Sequence, residues 1–203
     1  MKIICIGRNY AQHAKELGNA IPEKPVIFLK PETSVLKNNA PLFYPDFTHD
    51  LHYETELVFK IAKAGKHINR KFAHKYYEEI GIGIDFTARD IQNECKQKSL
   101  PWEIAKAFDG SAPVGTFIPK NSITNLKNIA FHLTKNGLIV QKGNSANMIF
   151  FIDEIIEYAS SFFTLKPGDL IFTGTPEGVG SIQKGDKLEA SINDEKLLEV
   201  EIK

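Results

Sequence analysis

The chain is short of cysteine, tryptophan and methionine, with two, one and two among 203 residues, and it carries no excess of charge. Each shortage excludes something. Two distant cysteines, Cys5 and Cys95, build neither a disulfide framework nor a thiolate metal cluster; they read as free thiols of a reducing compartment. Lys plus Arg equals Asp plus Glu, 25 each, so the basic excess that a nucleic-acid partner needs is missing. No run approaches the roughly 20 apolar residues that span a bilayer, and the segment 3–6 is too short for a signal peptide. No membrane partner is expected, and a cytoplasmic location is. Repeats, low-complexity segments and linkers are also missing. Residues 1–203 therefore read as one domain, large enough to bury a core unaided.

What is present is a β-rich pattern with few, short helices. Strands are expected over 3–6, over 26–30 before Pro31, over 53–61, over 80–86 and over 170–173. The strongest hairpin signal is 129–135 and 138–142 around Asn136-Gly137; a second joins 187–192 to 196–202 through Asn193-Asp194. Asn9 reads as the N-cap of a helix that Gly18 ends, and Asn69 as the cap of a short helix to about Tyr77. Helical spacing also covers 87–98 and 151–163, while 38–50, with Pro41 and Pro45, reads as loop. The sum is an α+β, β-rich fold.

Chemistry concentrates in four places. Glu54 and Glu56, two apart on an expected strand, point to one face, and Asp85 ends another apolar strand. Three carboxylates without cysteine suit a hard cation such as magnesium or manganese. The pair alone equally fits a solvated edge strand. His13 and Glu16 share a helix face, which fits either a carboxylate-oriented general base or a surface pair. Arg89, Gln92 and Lys106 follow Asp85; Arg89 and Lys106 suit a substrate carboxylate, and Arg89 equally suits an ion pair with Asp90 or Glu94. Finally, the loop 174–180 is glycine-rich but is neither a P-loop nor a dinucleotide fingerprint. His49 and His52 flank the acidic strand; His67, His74 and His132 have no metal spacing.

In order, these segments resemble the fumarylacetoacetate hydrolase family over nearly the whole chain. The likeness is to its small single-domain acylpyruvases and oxaloacetate decarboxylases. It is carried by Gly7-Arg8-Asn9-Tyr10 with His13 and Glu16, by Phe28-Leu29-Lys30-Pro31, and by His52-Tyr53-Glu54-Thr55-Glu56-Leu57. It continues through Gly83 to Asp90 with Gln92, through Lys98 to Lys106 across Pro101-Trp102, and through Pro167-Gly168-Asp169 into Gly174-Thr175-Pro176. The resemblance implies a mixed β-sandwich roll assembled as a homodimer. It implies magnesium, or manganese, on Glu54, Glu56 and Asp85, and a His13–Glu16 dyad on a segment that orders over substrate. By the same resemblance Lys106 and Gln92 assist at the reacting carbonyl, Lys30 and Thr175 contact substrate, and Arg8 and Arg89 support them.

The implied chemistry is cleavage of a carbon–carbon bond in a small 2-oxo acid through an enolate, by acylpyruvate hydrolysis or oxaloacetate decarboxylation. Two alternatives stand beside it. One is isomerisation or decarboxylation of unsaturated 2-oxo diacids, of the 2-hydroxyhepta-2,4-diene-1,7-dioate isomerase type. The other is non-catalytic binding of a 2-oxo acid, against which the His13–Glu16 pair argues.

Overall fold

A computed structural model describes residues 1–16 and 20–203. Its centre is a six-stranded sheet in which β1 (Ile3–Gly7) lies between β2 (Val26–Lys30) and β12 (Leu170–Phe172). Beyond β12 come β5 (Thr55–Ile61), β6 (Tyr77–Ile84) and the short β9 (Ile118–Pro119). Among the described residues of this sheet only β1 and β12 pair in parallel, Ile3 opposite Leu170, and its other neighbours are antiparallel. Strand alternation explains why this sheet is apolar on both faces. Ile4 and Ile6 point into the main core, while Ile3 and Cys5 point into a second cluster with Val58, Leu170 and Phe172.

A four-stranded antiparallel sheet covers the main-core face. It runs β11 (Leu138–Asn144), β10 (Ala130–Lys135), β14 (Lys187–Ile192), β15 (Glu195–Glu201). Leu133, Leu188, Ala190, Leu198 and Val200 from this sheet meet Leu57, Phe59 and Ile82 from the first, with Ile155 and Ile156 of α5 (Ile152–Phe162) closing one side. Both hairpins form as expected. Asn136 and Gly137 take φ of 53° and 81°, the pair of positive values a type I′ turn requires.

A three-stranded sheet of β13 (Gly180–Ser181), β4 (Leu51–Tyr53) and β7 (Thr87–Ala88) sits at one end, and β3 (Val35–Leu36) pairs with β8 (Ala112–Pro113). The remaining helices are short: α1 (Ala11–Glu16), α2 (Arg70–Ala73), α3 (Arg89–Gln97) and α4 (Glu103–Lys106).

Four expectations need correction. The strand over 53–61 is broken at Glu54, where the chain leaves the small sheet and enters the large one. The helix over 87–98 starts two residues later, because Thr87 and Ala88 pair with His52 and Leu51. Asn69 does accept from Lys71 N–H at 3.2 Å, but its helix ends at Ala73 and Tyr77 opens β6. Asn9 is no cap: its amide donates to the carbonyls of Thr173 (2.7 Å) and Phe150 (2.9 Å) and accepts from Phe150 N–H (2.7 Å). It fastens the start of α1 to two distant segments. The expected stop at Gly18 lies outside the described residues.

Candidate active site

The break at Glu54 is what builds the site. Its carbonyl accepts from Asp85 N–H at 2.8 Å, so Glu54 and Asp85 sit side by side where both chains cross from one sheet to the other. Glu56, two residues into β5, pairs with Gly83. A Cβ on Gly83 would lie 2.7 Å from the Phe172 ring and 2.9 Å from the Pro113 carbonyl, so this close approach needs glycine. All three carboxylates are buried, and one oxygen from each lies within 4.8 Å of the others.

Three cations meet them. Lys106 Nζ donates to Glu54 Oε2 (2.8 Å), Asp85 Oδ2 (2.6 Å) and Thr87 Oγ1 (2.6 Å). Arg89 Nη2 donates to Glu54 Oε1 (2.5 Å), and its Nη1 to Gln92 Oε1 (2.7 Å). Lys30 Nζ forms an ion pair with Asp85 Oδ1 (2.7 Å) and donates to the Ser111 carbonyl (2.8 Å). Arg89 is therefore not paired with Asp90 or Glu94. Asp90 instead accepts from Thr48 Oγ1 (2.6 Å), and Glu94 from Lys98 (2.6 Å).

The electrostatics divide the carboxylates. Burial works against the Glu54 anion, but Lys106 and Arg89 overcome it and hold that carboxyl below the usual range. Glu56 has no cation in ion-pair reach among the described residues, and Lys106 acts on it only weakly. Burial first, then the Asp85 and Glu54 charges, push it well up, and its one described donor is Gly174 N–H at 2.6 Å. Asp85 Oδ1, despite Lys30 nearby, has no aligned hydrogen bond. A raised, crowded carboxylate and a buried oxygen with an unused lone pair are what an additional divalent cation would relieve. The all-oxygen donor set fits a hard divalent metal.

In the same cleft, His13 is buried and Glu16 Oε2 lies 3.1 Å from its Nδ1. Gly178 N–H reaches Glu16 at 3.4 Å, so the 174–180 loop contacts the dyad. Gly174, at φ 94°, lets that loop pass the backbone at Ile6 and Asn9. Thr175 Oγ1 donates to the Thr55 carbonyl (2.9 Å). One cleft is lined by Arg8, His13, Glu54, Glu56, Asp85, Arg89, Gln92, Lys106 and Thr175 together. Of the sequence candidates, Lys30 and Glu16 are not in the lining; Lys30 meets it through Asp85, and the exposed Glu16 through His13. His49 and His52 lie off it; His52 Nε2 meets Asp50 Oδ1 at 2.8 Å.

Sequence reasoning missed Gln141. Buried in β11, it accepts from Thr55 N–H (3.0 Å) and donates to Thr175 Oγ1 (2.8 Å) and the Pro176 carbonyl (3.0 Å). A single polar residue in a hairpin strand carries no signal that its side chain crosses to another sheet. Lys96, Trp102 and Phe28 also line the cleft. Lys96 was legible, being four residues beyond Gln92 on one helix face.

The model of the family described as fumarylacetoacetate (FAA) hydrolase C-terminal matches residues 2–203. The chain is 42% identical over 191 residues to the cattle protein named oxaloacetate tautomerase FAHD1, mitochondrial, covering 94% of this chain and 86% of that one. It is 45% identical over 192 residues to the Dictyostelium discoideum oxaloacetate decarboxylase, mitochondrial, covering 94% and 88%. Its structure superposes with a TM-score of 0.94 on a fumarylpyruvate hydrolase from Pseudomonas aeruginosa in complex with Mn2+ and pyruvate. Identity there is 38%, with 100% of this chain and 89% of that one covered.

Proposed function

The chain belongs to the fumarylacetoacetate hydrolase family, and we propose that it cleaves a carbon–carbon bond in a small 2-oxo acid with a divalent cation as cofactor. The observation that carries this reading is the placement of three buried carboxylates and a His–Glu dyad on one cleft. Glu54, Glu56 and Asp85 would hold the cation, with magnesium as the ion in use and manganese able to replace it. When bound, that cation supplies Lewis-acid withdrawal of charge from the 2-oxo oxygen, which favours the enolate.

The chain's own groups do the rest. Glu16 beside Nδ1 keeps that nitrogen protonated and leaves Nε2 of His13 as the basic atom. For an acylpyruvate, His13 takes a proton from water as the water oxygen attacks the distal carbonyl. The bond to the pyruvate methylene then breaks, and the carbanion collects a proton. For oxaloacetate, carbon dioxide leaves and no water is needed. Lys30, Lys106 and Arg89 offset negative charge around the reacting atoms, and Gln92 and Thr175 orient them. One domain over 1–203, acting as a cytoplasmic homodimer, completes the reading. Exposed Phe43, Phe47 and Ile104 support a partner copy.

A second reading is keto–enol tautomerisation of oxaloacetate, supported by the similarity to the cattle oxaloacetate tautomerase. It uses the same enolate and asks His13 only to move a proton. The test is turnover of acetylpyruvate and oxaloacetate side by side with Mg2+, with Mn2+ and with chelator, while the enol absorbance is followed separately. Chelator-sensitive cleavage of either substrate is expected. Enol decay without cleavage would shift the assignment to the tautomerase, and inactivity toward both would sink the reading.

A further inference from the structure

Outward from the carboxylates, the cleft has a second set of charges. Arg89, Gln92 and Lys96 sit at positions three, four and seven apart on α3 and so share a face. All three line the cleft. Arg89 and Gln92 are buried and Lys96 half-buried, so the row climbs toward the mouth. Seven residues of helix carry Lys96 about 10 Å along the axis from Arg89. Arg8 lines the same cleft, held by a left-handed backbone of φ 59° that only a few per cent of non-glycine residues adopt.

The inner cations are spent on inner anions: Lys30 on Asp85, Arg89 on Glu54, Lys106 on both. Lys96 and Arg8 have no carboxylate in ion-pair reach and no side-chain hydrogen bond among the described residues. Burial, then Arg89, and more weakly Arg8 and Lys106, hold Lys96 below the ordinary lysine value against the opposing pull of Glu54. Its Nζ lies over the Trp102 ring, 5.9 Å from the centroid, and that ring meets Phe28 edge-on at 6.2 Å. In addition, Arg89 Nε is buried with no acceptor. Two unmatched cations over an apolar floor describe an anion subsite.

We propose that Lys96, with Arg8 beside it, is a specificity-determining residue that receives a second carboxylate at the far end of the substrate. The preferred substrate is then a 2-oxo diacid, and a 2-oxo acid with a neutral tail is the poorer one. This rests on the 2-oxo acid reading of the cleft. The residue sits beyond the reacting atoms, so it selects the ligand by its charge and takes no part in proton transfer.

The test uses the full chain loaded with Mn2+, as wild type, Lys96→Gln and Lys96→Arg. Calorimetry compares pyruvate with 2-oxoglutarate and 2-oxoadipate, and kinetics compares acetylpyruvate with oxaloacetate. Wild type should prefer diacids by roughly 10-fold or more, as one charge-assisted contact implies. K96Q should bring that ratio close to one, mainly through KM, and K96R should restore it. An unchanged ratio in K96Q, or equal losses on mono- and diacids, overturns the proposal. Diacid selectivity lost in K96Q, in a protein that turns over neither substrate, upholds the subsite and defeats the cleavage reading instead.

Discussion

Two clusters of lysine and carboxylate use the same bond lengths to opposite ends. On the outer sheet, Lys196 Nζ lies 2.8 Å from both Glu189 and Glu199, and Lys187 Nζ 3.1 Å from Glu199, with side chains 27–52% exposed. In the cleft, Lys106 lies 2.6 and 2.8 Å from Asp85 and Glu54, with side chains 1–8% exposed. Water and salt screen the first set, so each contact is interchangeable with solvation. The second set has no water to fall back on, and removing one partner leaves a buried charge alone. Distance therefore says little about what an ion pair does; access to water decides it.

The comparison breaks most sharply at Glu56, the carboxylate without a cation of its own. Glu56→Ala should lower metal-dependent turnover by more than about 100-fold, since even outer partners of a metal site cost 10–100-fold. Mn2+ titration should show weakened binding, and full activity would remove Glu56 from the metal site. His13→Ala should cut cleavage by about 10²–10⁴-fold while Mn2+ affinity is retained. Unchanged cleavage there means that another group is the base.

Lys106→Met tests the buried set directly. It should destabilise the metal-free protein by about 3–5 kcal/mol, read by denaturant unfolding, and saturating Mn2+ should recover much of the loss. No recovery would mean that Lys106 and the metal do not share the same carboxylates. The smallest effect is expected outside. Glu199→Gln should leave the melting temperature unchanged at high salt. The Lys196 and Lys187 contacts hold Glu199 down from 4.5 to about 2. A depressed folded value means that its small stabilisation is present above the unfolded value and fades as pH falls toward about 2. The wild type minus E199Q difference across that window checks it.

Much of the architecture was legible because local rules and tertiary demands agree. Val26–Lys30 is bounded by Pro25 and Pro31, and the Asn136-Gly137 pair specifies its turn alone. The parallel pairing of Ile3 with Leu170 was not legible, since no local pattern names a partner so distant. The break at Glu54 was hidden for a different reason. The run from His52 to Leu57 keeps one alternation, and a single unpaired residue leaves no mark in it. The candidate residues stood out through their types, yet Gln141 shows the limit. Its importance comes from reaching Thr55 and Thr175 on other segments, which only the assembled sheets reveal.

The crossover at Glu54 and Asp85 has a mechanical corollary. Glu56 belongs to the large sheet, whereas Glu54 and Asp85 sit at its seam with the small one. A cation shared by the three would act as a rivet through that seam. Any slippage between the sheets would then register as a change in metal affinity, long before it appeared as unfolding.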